Sequence, residues 1–411
     1  MIAFAATITS SFTSIRVSEN MVHLVLWASL GSQFIQLQLM PPGVFIEASN
    51  QSWLLFSALL ASATFLAGGS LSKSNRIGLT CFALSMMAFI CLAWWVLHFA
   101  PHPRIDVFEF QSRATDSLLS GNNPYTIRTP NIYGHNHFYG AGVVKNGVVQ
   151  FGFPYFPLSL LAVIPGHCLG DVRFAQIAFL VATAVLFAIL QPGPLGRGIS
   201  LLYLFSPRTL FVVEQSWSEP LVVFLATLTV FAARHAPRAT APIFGTLLAA
   251  KQTMVWMPFL VPLLVQGPLQ RRFRFLCLAI SVATTITLPF LLWDPMEFWR
   301  SVVQWQFIQP FRRDSLSIPA GVFAHFGVTL PVGLAFFASL ACLVMAWWKA
   351  CRTPAGWAIS ATLVYIVFFA MNKQAFCNYY FMVIGFACLT AASSRISPSK
   401  SQLLNLEPLN Q

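Results

Sequence analysis

"IGLTCFALSMMAFICLAWWVLHFA", residues 77–100, runs without a single aspartate, glutamate, lysine or arginine. A helix rises about 1.5 Å per residue, so a run of this length crosses the ~30 Å hydrocarbon core of a bilayer. Only a helix or a closed barrel can satisfy its backbone there, and a barrel needs short alternating segments that this chain lacks. Comparable apolar runs recur at 21–39, 53–70, 172–191, 198–213, 217–233, 275–293, 321–348, 355–371 and 376–393, with 155–169 and 242–265 less regular. The chain of 411 residues is 57% hydrophobic and 9% charged, against about 25% charged in a soluble domain. The sequence therefore predicts an all-α, polytopic transmembrane helical bundle of about 10–12 spans.

Orientation follows from the basic residues. Lys73, Arg76, Arg197, Arg234, Arg238, Arg271, Arg272, Arg274, Lys349, Arg352, Arg395 and Lys400 all fit one face, which the positive-inside rule makes the cytoplasm. The formal charge of +12 then reports topology and membrane lipids rather than a nucleic-acid partner. Of the twelve acidic residues, only Glu19 and Glu407 fall on that face. Glu47, Asp106, Glu109, Asp116, Asp171, Glu214, Glu219, Asp294, Glu297 and Asp314 fall on the other. Acids hardly influence insertion, so chemistry is expected at the outer face. The eight cysteines lie mostly inside apolar runs and read as small core residues rather than a disulfide or zinc framework. The first twenty residues make a poor signal peptide and read as a cytoplasmic lead-in.

Segment 242–265 has basic flanks on both sides, "RHAPR" and "QRRFR", with Lys251 at its centre. A pair of re-entrant half-helices keeps both flanks inside and puts Lys251 at the tip. "FPYFPLSLLAVIPGHCLGD" is short, holds three prolines, and is also expected to dip and return.

Past residue 100 the chemistry changes abruptly. "DVFEFQSRATDSLLSGNNPY", residues 106–125, places Val107, Phe110, Ala114 and Leu118 on one helical stripe, with Asp106, Glu109, Arg113 and Asp116 on another face. Such a helix lies flat in the membrane interface. Gly121 suits the C′ position and Asn-Asn-Pro stops the helix. Asp106 can be the N-cap, with Glu109 completing a capping box. It can also be a general base at the water–lipid boundary, because a capping carboxylate keeps one oxygen free.

The order of features is informative. An outer-face Asp, a flat helix and "SGNNPY" are followed by "FPYFPLSLL", "SWSEP", "GTLLAAKQTMVWMPFLVP" and "NKQAFCNYYF". This order resembles the GT-C superfamily of integral membrane glycosyltransferases, most closely the bacterial polyprenol-phosphate-sugar-dependent group that includes the mycobacterial mannosyltransferases. The resemblance covers roughly residues 77–393, with an outer loop at 101–155. Residues 1–76 would add two transmembrane helices, and 394–411 a cytoplasmic tail.

The resemblance implies an inverting transfer at the outer face of a bacterial plasma membrane. Its donor is a polyprenyl-phosphate sugar, mannose being the first guess, and its acceptor a lipid or glycan hydroxyl. Asp106 matches the family's base, and Glu109 loosely matches a second acid. No cofactor or metal is implied, and the chain holds no DxD and no Walker A motif.

Breaking a sugar–phosphate bond leaves negative charge on the phosphate, which fixed cations stabilise. Lys251, Lys373, Arg208, Arg312 and Arg313 are the candidates. Lys251 is the foremost, because a lysine at membrane depth is costly; it can equally be the ion-pair partner of Glu214 or Glu219. Lys373 can contact donor or acceptor, or snorkel to the interface. Arg312 and Arg313 follow Trp299, Trp305 and Phe311, which read as an interfacial belt before a wall for the sugar. Glu219, Asn123, Tyr125 and Asn378 are candidate sugar or acceptor contacts, although an acid opening a helix is also ordinary dipole complementation. His135 and His137 in "YGHNHFYG" are too few for a metal site and read as a polar loop near the acceptor entrance. A transporter or flippase for a lipid-linked saccharide is the alternative; it would place ionisable groups near the midplane on several broken helices.

Overall fold

The computed structural model describes residues 18–39, 50–134 and 138–394. The expectations for the lead-in 1–17, Glu47, His135, His137, Arg395, Lys400 and Glu407 lie outside them. The described chain is mostly helical. Its first helices are α1 (Glu19–Leu39), α2 (Asn50–Ser70), α3 (Asn75–Phe99), α4 (Asp106–Leu119), α5 (Pro157–Leu161), α6 (Ile164–Cys168), α7 (Arg173–Leu190), α8 (Pro194–Leu204) and α9 (Thr209–Glu214). There follow α10 (Glu219–His235), α11 (Thr240–Leu248), α12 (Met257–Leu264), α13 (Leu269–Trp293), α14 (Pro295–Trp299), α15 (Trp305–Ile308), α16 (Ile318–Phe326), α17 (Gly333–Lys349), α18 (Pro354–Ala370) and α19 (Cys377–Ser393). One two-residue hairpin, β1 (Val144–Lys145) with β2 (Val148–Val149), closes a loop.

Among the described residues four stretches are long and apolar enough to cross a membrane: Trp53–Ser70, Asn75–Phe99, Arg173–Leu190 and Leu269–Trp293. On the last of these Phe273, Leu278, Ile280, Leu288 and Leu292 are exposed, an apolar surface of the kind that suits lipid better than water. Two predicted runs are not single helices. Run 198–213 breaks at Ser206–Pro207–Arg208, where Arg208 adopts a left-handed φ of 71°. Run 321–348 breaks after Gly327, whose φ of 69° ends α16, and resumes after Pro331.

The bundle has two chemically different ends. At one, Arg197 donates to Ser70 O (2.7 Å) and Ser72 O (2.8 Å), and Arg234 donates to Leu190 O and Ser393 O. These guanidiniums satisfy carbonyls left over where helices stop. At the other end lie Asp106 and every further described acid except Glu19.

Segment 242–265 returns to the end it leaves. Phe244, on α11, packs on Trp357 in the first turn of α18. Gln266, just past α12, donates to Arg352 O, immediately before that same turn. Between them the chain breaks at Ala249–Lys251 and a 3₁₀ turn, Gln252–Trp256, leads back. Tyr365 of α18 caps this turn by donating to Thr253 O (2.9 Å). Close packing holds the hairpin in place. A Cβ on Gly245 would meet Ala279 O of α13 at 2.4 Å. Gly245→Val is therefore expected to destabilise the protein by about 1–3 kcal/mol, read as a lower melting temperature in detergent.

A second hydrophobic cluster caps the Asp106 end. It joins Phe110 and Ala114 of α4 to Tyr125, Phe151, Phe153, Phe290 and Trp305. Segment 155–169 belongs to this cap as the two five-residue helices α5 and α6. It runs from Pro154, whose carbonyl accepts from Gln252 (2.8 Å), to Arg173, which donates to Ala100 O (2.8 Å).

Candidate functional site

Helix α4 begins at Asp106, but not in the way its spacing predicts. Ile105 is the N-cap, no side chain caps the helix, and Asp106 is the first helical residue. Glu109 does not reach back. It pairs with Arg113 at 2.9 Å one turn on, so the capping box does not form. The far end follows expectation: Gly121 has φ 77°, with Asn122 N to Ser117 O at 2.8 Å and Gly121 N to Leu118 O at 3.0 Å, a Schellman closure. The buried stripe is wider than predicted, because Gln111 and Thr115 join Val107, Phe110 and Ala114.

Asp106 is held by tyrosines instead. Tyr139 donates its hydroxyl to Asp106 Oδ2 at 3.0 Å, and the Tyr133 hydroxyl accepts the Asp106 backbone N–H at 3.2 Å. Burial pushes the carboxyl above the usual aspartate range; the tyrosine hydroxyls, the Val107 backbone and the Arg312 charge pull the other way without winning. Asp106 nonetheless keeps some accessible surface. Burial and the neighbouring carboxylate drive both phenols far above their ordinary range, so they remain donors.

The wall beside Asp106 is aromatic and cationic. A π-helical turn, Arg300–Gln304, precedes Trp305, whose ring stacks on Phe151 at 3.9 Å and meets Tyr139 at 5.6 Å. Arg312 lies over Phe138 (4.1 Å) and Phe376 (5.0 Å) and grips Asp314 with two bonds of 2.8 and 2.6 Å. That grip holds the Asp314 carboxyl below its usual range. Lys373 donates to Gln309 O (2.6 Å) and Phe307 O (3.3 Å), and burial lowers its pKa. No acid pairs with it among the described residues. Arg313 is exposed over Phe323 at 4.7 Å.

Lys251 reaches the same end from the tip of the hairpin. Its ammonium bonds Glu219 Oε1, and Asn378 Nδ2 donates to that same oxygen at 2.7 Å. All three side chains are buried. The ion-pair reading of Lys251 is thus the one the structure draws, and its charge is compensated. Tyr155 and Tyr379 present their rings to the ammonium at 5.8 and 5.3 Å. Tyr155 feels the charges of both Asp106 and Glu219, so the two clusters adjoin.

Other candidates fall elsewhere. Tyr125 is fully buried in the cap against Phe153, Phe290 and Phe298, its hydroxyl on Tyr155 O at 3.0 Å. Asn123 turns the chain by accepting Tyr125 N at 2.9 Å. Both are structural here, since their side chains point into the cap core and its turn. Arg208 is half-buried over Phe211, within electrostatic reach of Cys377.

Sequence reading passed over Tyr133, Tyr139, Tyr155 and the fully buried Gln111. Gln111 donates to Ser216 O (3.0 Å) and accepts from Ser216 Oγ (2.5 Å), clasping α4 to the strained loop (Ser216 φ 56°) that opens α10. A glutamine on an apolar helical stripe was the available signal for the clasp. The tyrosines flanking the two histidines were the signal for the Asp106 site. No three His, Cys, Asp or Glu side chains converge to hold a metal among the described residues.

No protein-family model matches the chain, and neither the curated proteins nor the solved structures contain a match. What the fold itself defines is a mostly helical protein with, among the described residues, four helices long and apolar enough to cross a membrane, and a polar site gathered at one end.

Proposed function

We propose that this chain is an integral membrane glycosyltransferase of about 10–12 spans, with α4 lying in the outer interface of a bacterial plasma membrane. It moves a sugar, mannose first among candidates, from a polyprenyl-phosphate donor to a hydroxyl of a lipid or glycan. The acceptor oxygen attacks the anomeric carbon as the bond to phosphate breaks. The electron pair leaves with the phosphate, the configuration inverts, and the acceptor proton passes to Asp106.

The observation that carries this reading is the Asp106 carboxyl, oriented by Tyr139 and shifted upward by burial. An upward shift makes a stronger base nearer neutral pH. The phosphate role passes from Lys251, whose charge Glu219 compensates, to Lys373 with Arg312 and Arg313 beside it. One observation favours the alternative of a lipid-linked saccharide flippase: the broken hairpin with Lys251 at its tip. Every described acid except Glu19 collects at one end, beside Arg312 and Lys373, which favours chemistry at a surface over passage across it.

Radiolabelled polyprenyl-phosphate sugars are expected to lose label to a lipid or glycan in membranes carrying the wild type. Lys373→Ala is expected to lower that turnover by about 10²-fold. Translocation of intact donor without label transfer would replace the enzyme by the flippase. Undiminished turnover in Lys373→Ala would move the phosphate to Arg312 and Arg313.

A further inference from the structure

Two buried acceptor atoms at the Lys251 cluster have no hydrogen-bond partner among the described residues: Glu219 Oε2 and Asn378 Oδ1. Glu219 is fully buried and Asn378 is 5% exposed. An orphaned carboxylate oxygen at such a place is costly, more so than a neutral one. The two atoms flank the 2.7 Å Asn378–Glu219 hydrogen bond, one on each partner. The carboxylate also fixes the amide, turning its NH₂ inward and its oxygen away.

Charge narrows the class of ligand. The Lys251 ammonium already cancels the Glu219 charge, so a second cation meets little net attraction. A phosphate or carboxylate would face two more acceptors. A neutral group offering two O–H donors satisfies both atoms. Half-buried Tyr155 and Tyr379 flank the ammonium, and their aromatic faces suit the C–H face of a sugar ring. Tyr155 carries its ring beside the Lys251 ammonium and feels the charges of both Glu219 and Asp106, so a sugar whose anomeric carbon is attacked beside Asp106 can extend its ring hydroxyls towards Glu219.

Resting on the glycosyltransferase reading, we infer that Glu219 and Asn378 form the subsite that reads ring hydroxyls of the transferred sugar. Both side chains accept O–H protons there, and Lys251 is a positioning residue that holds the carboxylate.

The test measures equilibrium binding of a labelled polyprenyl-phosphate hexose and its monodeoxy analogues to the detergent-solubilised protein, with turnover followed in parallel. Removing either hydroxyl that is read leaves a buried acceptor unpaired. The wild type is therefore expected to bind those two analogues about a hundredfold more weakly than the parent, and the other analogues within a few-fold. Asn378→Leu, which leaves the Lys251–Glu219 pair intact, is expected to bring one of the two ratios down to a few-fold. The wild-type series needs no variant to fold. Equal affinity for the parent and every deoxy analogue overturns the subsite, the two acceptors then being satisfied by water. Selective binding without turnover keeps the subsite and removes the enzyme; turnover without selectivity does the reverse.

Discussion

Asp106→Asn lowers transfer by about 10²–10⁴-fold, the range over which a positioned general base acts, while leaving the fold intact. The asparagine oxygen still accepts from Tyr139, and the side chain fits the first position of α4 as the aspartate does. Stability should hold or improve, and the sign can be worked out. Burial raises the folded-state pKa of Asp106 above its unfolded value. Between those two values the folded state binds more protons than the unfolded one, so stability is lost as pH rises through that window and is not regained above it. Asparagine carries no charge to desolvate and escapes that cost at neutral pH. Below the ordinary carboxylate range the two proteins should melt alike. Catalysis runs the opposite way, because the base must be ionised. Turnover by the wild type should fall as pH drops through a pKa above that of an ordinary aspartate. At the alkaline side it should fall again where Lys373, whose pKa burial lowers, loses its proton. A pH–rate profile and melting curves for both proteins read all of this. Wild-type turnover in the variant would remove Asp106 as the base.

Lys251→Met is expected to damage the fold itself. The substitution leaves the Glu219 carboxyl buried without its cation, with only the Asn378 amide to answer it. Breaking a buried pair from one side costs ~3–5 kcal/mol, a large share of the 5–15 kcal/mol that holds a typical protein folded. Removing both charges is different: Lys251→Met with Glu219→Gln should recover most of the loss, since replacing a buried pair with neutral groups is often close to neutral. Thermal denaturation of the two variants in detergent reads the contrast. A single variant as stable as the wild type would mean that Lys251 does not carry the compensating charge.

The helical architecture was legible because lipid demands uncharged runs, and 77–100 or 174–190 carry that demand residue by residue. The return of the 242–265 hairpin was legible for a related reason: basic flanks on both sides allow few other paths. What failed was local and polar. The Asp106–Glu109 spacing fits a capping box, yet Tyr139 and Arg113 outbid the backbone for those carboxylates. Tyrosine partners lie 27 and 33 residues from Asp106, a separation at which no spacing rule operates. Pro207 and Gly327 were visible as helix breakers inside apolar runs, but hydropathy alone smooths over them. Tyr125 and Asn123 read as polar contacts because they follow a charged helix. Only packing against Phe290 and Phe298, from a distant segment, makes them part of a core.

The hairpin that carries Lys251 bears on how such a protein is made. Its first arm has nine residues and its return arm thirteen, counting the 3₁₀ turn, so they rise about 14 Å and about 22 Å, each short of the ~30 Å bilayer core. Neither arm can be recognised and inserted as a span of its own during synthesis. The hairpin therefore depends on three longer neighbours: α10 supplies the Glu219 carboxylate that answers its lysine, α13 the surface on which Gly245 packs, and α18 the Tyr365 hydroxyl that closes its turn.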